Sequence, residues 1–155
     1  MRESRDVTER PGPGPDSPAL LRAVDCVTVP VPDLDSGLAF YGDKLGHRML
    51  WRNDDLSQAA LRLPESNTEL VLTTQQEYAP AWLVASADHA AERIRAAGGR
   101  ILTEPISVPV GRLAVAADPF GNVLVLLDLS NGTYITDPAG TVTGTRGRPP
   151  ADRPD

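Results

Sequence analysis

One cysteine, two histidines and 5% aromatic residues are the scarcities that first bound what this 155-residue chain can be. A single thiol closes no internal disulfide, so no disulfide framework holds the fold. No apolar run approaches the roughly 20 residues that a membrane-spanning helix needs, and the N-terminus lacks an apolar signal core, so a cytoplasmic protein is expected. Basic clusters are missing too. Residues 24–129 hold eight Lys/Arg against fourteen Asp/Glu, which accounts for the whole net charge of −6. Without a basic patch the chain makes a poor nucleic-acid ligand, so neither nucleic acid nor membrane is expected as a partner. The acidic balance favours a cationic or polar-neutral small molecule instead.

What the chain does have is a repeat. Val27–Trp51 reads VTVPVPDLDSGLAFYGDKLGHRMLW, and Trp82–Leu102 reads WLVASADHAAERIRAAGGRIL. Each is a short apolar strand, an acidic residue (Asp33 or Asp88) at a helix start, an amphipathic stretch, a glycine stop and another apolar run. A pattern that occurs only twice, about 55 residues apart, points to two similar halves rather than a solenoid. Three strand-like runs follow each helix: 48–52, 59–63 and 69–74, then 100–106, 112–117 and 123–127. They are rich in Val, Leu, Ile and Thr and bounded by Gly, Pro, Asn and Asp.

The helix ends are readable as well. Asp33 or Asp35 is expected to cap the first helix and Asp88 the second, with Gly46 and Gly98-Gly99 as the left-handed stops. Leu38, Phe40, Tyr41 and Leu45 form one apolar face, and Ala90, Ala91, Ile94 and Ala97 the other. At 155 residues with 41% apolar content the chain buries one core. Residues 1–22 are Pro-rich and residues 131–155 are rich in Gly, Thr, Arg and Pro, so both are expected to be disordered tails around a domain at 23–130.

Strand-PDLDSGLAFYGDKLG, followed near the end by DPFGNVLVLL, resembles the vicinal-oxygen-chelate superfamily of glyoxalase I, extradiol dioxygenases and bleomycin-resistance proteins. The resemblance covers roughly residues 24 to 129. It implies an α+β fold: two βαβββ modules, 26–74 and 81–128, forming a curved, mainly antiparallel sheet cup with the helices outside. It also implies a small-molecule ligand and, because an open cup has strand edges to cover, a homodimer.

The metal-dependent members that this chain resembles place four ligands in the cup, and here those places fall on Cys26, Val71 (with Glu69 two residues away), Trp82 and Val125. An imidazole–carboxylate metal needs three or four converging donors, so neither metal nor other cofactor is expected. His47 and His89 sit at a helix stop and in a first helical turn, on the outer layer. Side-chain alternation gives the expected inner face Cys26, Thr28, Glu69, Val71, Thr73, Trp82, Val84 and Val125, with Trp82 at its centre. Trp51, Arg52, Arg62 and Arg112 are expected on the rim, where an indole stacks on a flat ligand and a guanidinium holds a carboxylate or phosphate. A mainly hydrophobic wall with few polar groups suits a preformed ligand pocket.

Two functions follow from this reading. One is a metal-free binding protein that sequesters a hydrophobic natural product, as bleomycin-resistance proteins do. The other is a superfamily enzyme, a lyase, isomerase or cyclase, with Glu69 as general base.

Overall fold

The duplicated pattern folds into two four-stranded halves that meet edge to edge. The computed structural model describes residues 19–147. The first half runs β1 (Ala23–Pro30), α1 (Leu34–Gly37, continuing as a π-helical stretch over Leu38–Lys44), β2 (Met49–Asn53), β3 (Gln58–Arg62) and β4 (Glu69–Thr73). The second runs β5 (Ala79–Leu83), α2 (Ala87–Ala96), β6 (Arg100–Val108), β7 (Gly111–Ala117) and β8 (Val123–Asp128). Together they form one eight-stranded sheet in the order β2-β3-β4-β1-β5-β8-β7-β6. The pairs β1–β4 and β5–β8 are parallel and the others antiparallel, so each half repeats the other's connectivity about the central antiparallel β1–β5 pair. This is the expected α+β cup of two βαβββ modules, with both modules paired within one chain.

Each helix covers the apolar face of its own half. Under α1, Val29, Leu34, Ala59, Leu61 and Leu72 form one buried cluster. Under α2, Val84, Ala87, Ala90, Ile94, Ala114, Ala116 and Leu126 form the other. Leu61, Leu72 and Leu126 are fully buried, each stabilising the fold by about 1.5–3 kcal/mol relative to an exposed side chain.

Asp33 caps α1, its carboxylate accepting from the Ser36 amide at 2.7 Å. The cap of α2 is Ser86 rather than Asp88: Ser86 Oγ accepts from the His89 amide at 3.1 Å. Asp88, in the first turn, pairs with Arg112 instead. Gly46 and Gly98 end the helices at φ of 87° and 101°, backbone that residues with a Cβ rarely adopt. The DPFGN turn is held by Asp118, whose carboxylate accepts from the amides of Phe120 and Asn122 at 2.8 Å each. Asp128 ties the second half together from inside. Its buried carboxylate accepts from the amides of Ala87 (2.7 Å) and Arg112 (2.9 Å) and from Ser130 Oγ (2.7 Å).

The expectation of a disordered tail from residue 131 onward needs correction. Thr133–Thr136 (β9) and Val142–Arg146 (β10) pair as an antiparallel ribbon. The ribbon docks on the edge of β2, where the Arg52 amide donates to Gly140 O at 2.9 Å. Thr133-Tyr134-Ile135-Thr136 is a run of strand formers that the surrounding Gly, Asp and Pro masked, and its partner run carries Gly144, so the ribbon depends on the surface it covers. Of the two expected tails, residues 1–18 and 148–155 lie outside the described residues. No helix among the described residues is long and apolar enough to cross a membrane.

Candidate functional site

The concave face of the sheet holds a cavity of about 350 Å³, within the usual range of small-molecule sites. Its floor is the packed group Cys26, Ala60, Val71 and Ala81, with Leu50, Trp51 and Val125 against it. Thr28 joins this face through alternation along β1, and its hydroxyl is taken up by Glu77 O at 2.5 Å and Ala79 O at 3.1 Å. From the second half come Leu113, Leu127 and the β6–β7 turn residues Val108, Pro109 and Val110. The ribbon closes a side with Thr133, Tyr134 and Thr136.

Of the residues expected to line the cup or its rim, the structure brings Cys26, Thr28, Trp51, Glu69, Val71 and Val125 together and leaves six elsewhere. Trp82 packs against the cluster under α2, and Val84 is part of that cluster. The cause is register: Ala81, not Trp82, pairs with both Cys26 and Val125, while Trp82 pairs with Leu126. A slip of one residue exchanges the two faces of a strand. Thr73 is fully buried, its hydroxyl accepting from the amides of Gln75 and Gln76 in the turn that leaves β4. Arg62 is exposed on β3 and Arg52 is turned to Asp35 and Asp54, so neither lines the cavity. Arg112 is held outside by Asp88 (2.7 and 3.2 Å), Ser107 Oγ and Pro105 O.

The sequence reading missed Asp25 and Leu50, and both arise from bulges. Val24 pairs with Trp82 and Cys26 with Ala81, which leaves Asp25 as an extra residue on β1. Met49 pairs with Leu61 and Trp51 with Ala60, which leaves Leu50 extra on β2. A bulge interrupts alternation and re-aims side chains. Asp25 and Cys26, and likewise Leu50 and Trp51, therefore line the same cavity as neighbours in sequence.

The chemistry of the cup centres on Glu69, which pairs with Cys26 across the parallel β1–β4 ladder. Among the described residues its carboxylate has one hydrogen-bond donor, Trp51 Nε1, at 3.1 Å. Burial raises the proton affinity of Glu69 above the ordinary carboxyl range; the indole hydrogen bond opposes this, and the charge of Asp25 adds to it. Asp25 is raised by burial as well. Burial, followed by the charges of Asp25 and Glu69, pushes the Cys26 thiol up to about 12, so it stays protonated and is no nucleophile. Trp51 meets Tyr134 edge to face, centroids 4.7 Å apart. Through these contacts Glu69, Trp51 and Tyr134 form one connected wall.

The donor set does not fit a chelated divalent metal. The inward positions that converge through the ladders are Cys26, Glu69, Ala81 and Val125, and alanine and valine supply no donor atom. Among the described residues no group of three or more His, Cys, Asp or Glu gathers in metal-binding geometry. His47 turns Nδ1 to Arg62 O at 3.0 Å, and His89 is exposed on α2.

Comparison with known proteins agrees with this architecture. The family model described as Glyoxalase/Bleomycin resistance protein/Dioxygenase superfamily matches residues 23–126. Among solved structures, methylmalonyl-CoA epimerase from Mycobacterium tuberculosis is 23% identical with a TM-score of 0.57, over 72% of this chain and 91% of that one. A substituted methylmalonyl-CoA epimerase from Streptomyces coelicolor, in complex with 2-nitronate-propionyl-CoA, is 23% identical with a TM-score of 0.56, over 70% and 97%. A mutant 4-hydroxymandelate synthase from Streptomyces coelicolor is 15% identical with a TM-score of 0.52, over 72% and 39%. At these identities the shared property is the fold. No curated protein matches the chain.

Proposed function

The chain belongs to the Glyoxalase/Bleomycin resistance protein/Dioxygenase superfamily, and on that premise we propose that it catalyses proton transfer on a compact small molecule held in the cup, with Glu69 as the acid–base group. The observation that carries this reading is the environment of that carboxylate. It sits in a mainly apolar cavity, is oriented by one indole N–H, and has a proton affinity raised by burial. A carboxyl shifted upward toward working pH is a better general base than an ordinary one, because the carboxylate is basic enough to take the proton and its conjugate acid still acidic enough to return it. With no metal-ligand set to polarise vicinal oxygens, the reaction classes that remain natural are isomerisation and elimination beside an already acidic C–H. The solved neighbours named epimerases lend the same fold to a reaction of that kind.

Sequestration of an unchanged ligand is the second reading, supported by the preformed apolar floor of Cys26, Ala60, Val71 and Ala81. One substitution separates the two. The purified protein is incubated with a natural-product and metabolite collection, and recovered ligands are analysed by mass and chirality. Conversion by the parent that Glu69→Gln abolishes even at ligand concentrations that saturate the variant supports catalysis. A ligand recovered unchanged from the parent, and bound with only an altered affinity by the variant, establishes sequestration.

A further inference from the structure

The charge inventory of the cavity narrows the ligand. Among the described residues its lining contains two carboxylates, Asp25 and Glu69, and no Lys, Arg or His. The arginines nearest in sequence are engaged elsewhere: Arg52 with Asp35 and Asp54 at 2.9 Å each, and Arg112 with Asp88. The remainder of the lining is aliphatic, with two aromatic side chains, Trp51 and Tyr134, and the hydroxyls and amides of Thr28, Gln58, Gln76, Thr133 and Thr136. Gln58 and Gln76 are bonded to each other at 3.0 Å, and Thr28 to main-chain carbonyls.

We propose that the cup takes a cation: a compact apolar body carrying a protonated or quaternary amine, its charge lodged beside Asp25 and Glu69 and its body against Trp51, Tyr134 and the Val71–Ala81–Val125 floor. This rests on the reading of the cup as the small-molecule site and adds the charge class. Two carboxylates facing one cavity without a cation among its walls raise each other's cost of ionising, and a cationic head supplies the missing opposite charge in a partly desolvated place where screening is weak. Ammonium groups are also drawn to indole and phenol rings, by about 0.5–2 kcal/mol. A ligand with an anionic head, such as the nitronate in the epimerase complex, would instead bring a third negative charge to Asp25 and Glu69 with no guanidinium or imidazole to receive it. The bulge at Asp25 is what creates the pair, because regular alternation would turn that carboxylate out of the cup.

The test uses isosteres that differ in charge. Benzyltrimethylammonium, its neutral carbon isostere neopentylbenzene and the anion phenylacetate are titrated into the full chain by calorimetry and by Trp51 fluorescence. The expected result is that the ammonium binds at least tenfold more tightly than the neutral isostere, that phenylacetate does not bind, and that Asp25→Asn combined with Glu69→Gln brings ammonium and isostere within twofold of each other. Equal affinity for the charged and neutral probes overturns the charge assignment while leaving the cup as the binding site. Failure of all three probes to perturb Trp51 at millimolar concentration overturns the cup itself as a site, and the proposal with it. Because the parent protein alone answers the first comparison, the outcome does not depend on the variants folding.

Discussion

Trp82→Ala tests whether the faces of β5 have been assigned correctly. The indole packs on the cluster of Val84, Ala87, Ala90, Ile94, Ala114, Ala116 and Leu126 beneath α2, and is mostly but not fully buried. Truncating a core Trp or Phe to Ala costs about 3–5 kcal/mol, the cost following how far the neighbours relax into the space. Ala87, Ala90, Ala114 and Ala116 are small and lie on regular backbone, so they close little of that space, while the partial exposure of the indole lowers the transfer contribution. The expected loss is about 3 kcal/mol, near the bottom of that range. It is read as a lower urea midpoint with an unchanged slope, and as a fall in melting temperature of roughly 10 °C for a domain of this size. Binding in the cup, measured with benzyltrimethylammonium, is expected within twofold of the parent, since Trp82 faces away from the cavity. A variant that keeps its stability and loses binding refutes the register argument and returns Trp82 to the centre of the pocket.

Three further outcomes follow from the same geometry. Asp128→Ala leaves the buried amides of Ala87 and Arg112 without their acceptor and is expected to cost about 3 kcal/mol, with Asp128→Asn less damaging; equal urea midpoints for parent and Ala variant would contradict this. Glu69 has a raised folded-state pKa, with Asp25, Cys26, Trp51 and Tyr134 facing it, so its contribution to stability is greatest below the unfolded carboxyl pKa and is lost as pH rises through the folded value. Glu69→Gln is therefore expected to be more stable than the parent at pH 7.5, the gap closing below roughly pH 4; a gap that widens in acid shows the opposite shift. Tyr134→Ala removes the ring against Trp51 and is expected to raise acrylamide quenching of Trp51 in a Trp82→Phe background, whereas unchanged quenching would show that the ribbon does not wall the cavity.

The fold was legible because its signals are local and repeated. The six strands that follow the helices appear within two residues of the expected runs, the two that open the halves start two to four residues early, and Gly46 and Gly98 stop the helices where the sequence places them. The site was legible only where alternation runs unbroken. On β4, Glu69 and Val71 share a face with no bulge between them, and both line the cavity. On β5 the expected register was one residue out, and nothing in Pro80-Ala81-Trp82-Leu83-Val84 fixes it, since either face is apolar. The central β1–β5 pairing decides it, and that is a contact between halves of the chain that no window of sequence contains. Arg112 was misplaced for a related reason: Asp88, taken as a cap, is its partner across the α2–β7 surface, and Ser86 holds the cap position.

The bulge on β1 links these errors to the function. Had β1 paired with β5 without an extra residue, Val24, Cys26 and Thr28 would line the cup and Asp25 would face the helical layer. The inserted residue places Asp25 in the same cavity as Glu69; burial raises both carboxyls and the Cys26 thiol, and the charge of Asp25 adds to the shifts of Glu69 and Cys26. Asp25→Ala is therefore expected to lower the Cys26 and Glu69 pKa values together, since both lose a neighbouring charge. The Glu69 shift is read by NMR titration of its carboxyl carbon, and the thiol by the pH dependence of its alkylation. A downward movement of Glu69 of the same size in the parent on saturation with benzyltrimethylammonium would show that the ligand supplies electrostatically what the substitution removes. Movement of Cys26 alone would mean that Asp25 and Glu69 do not share the cavity, and the acid pair would lose its place in the recognition of a cation.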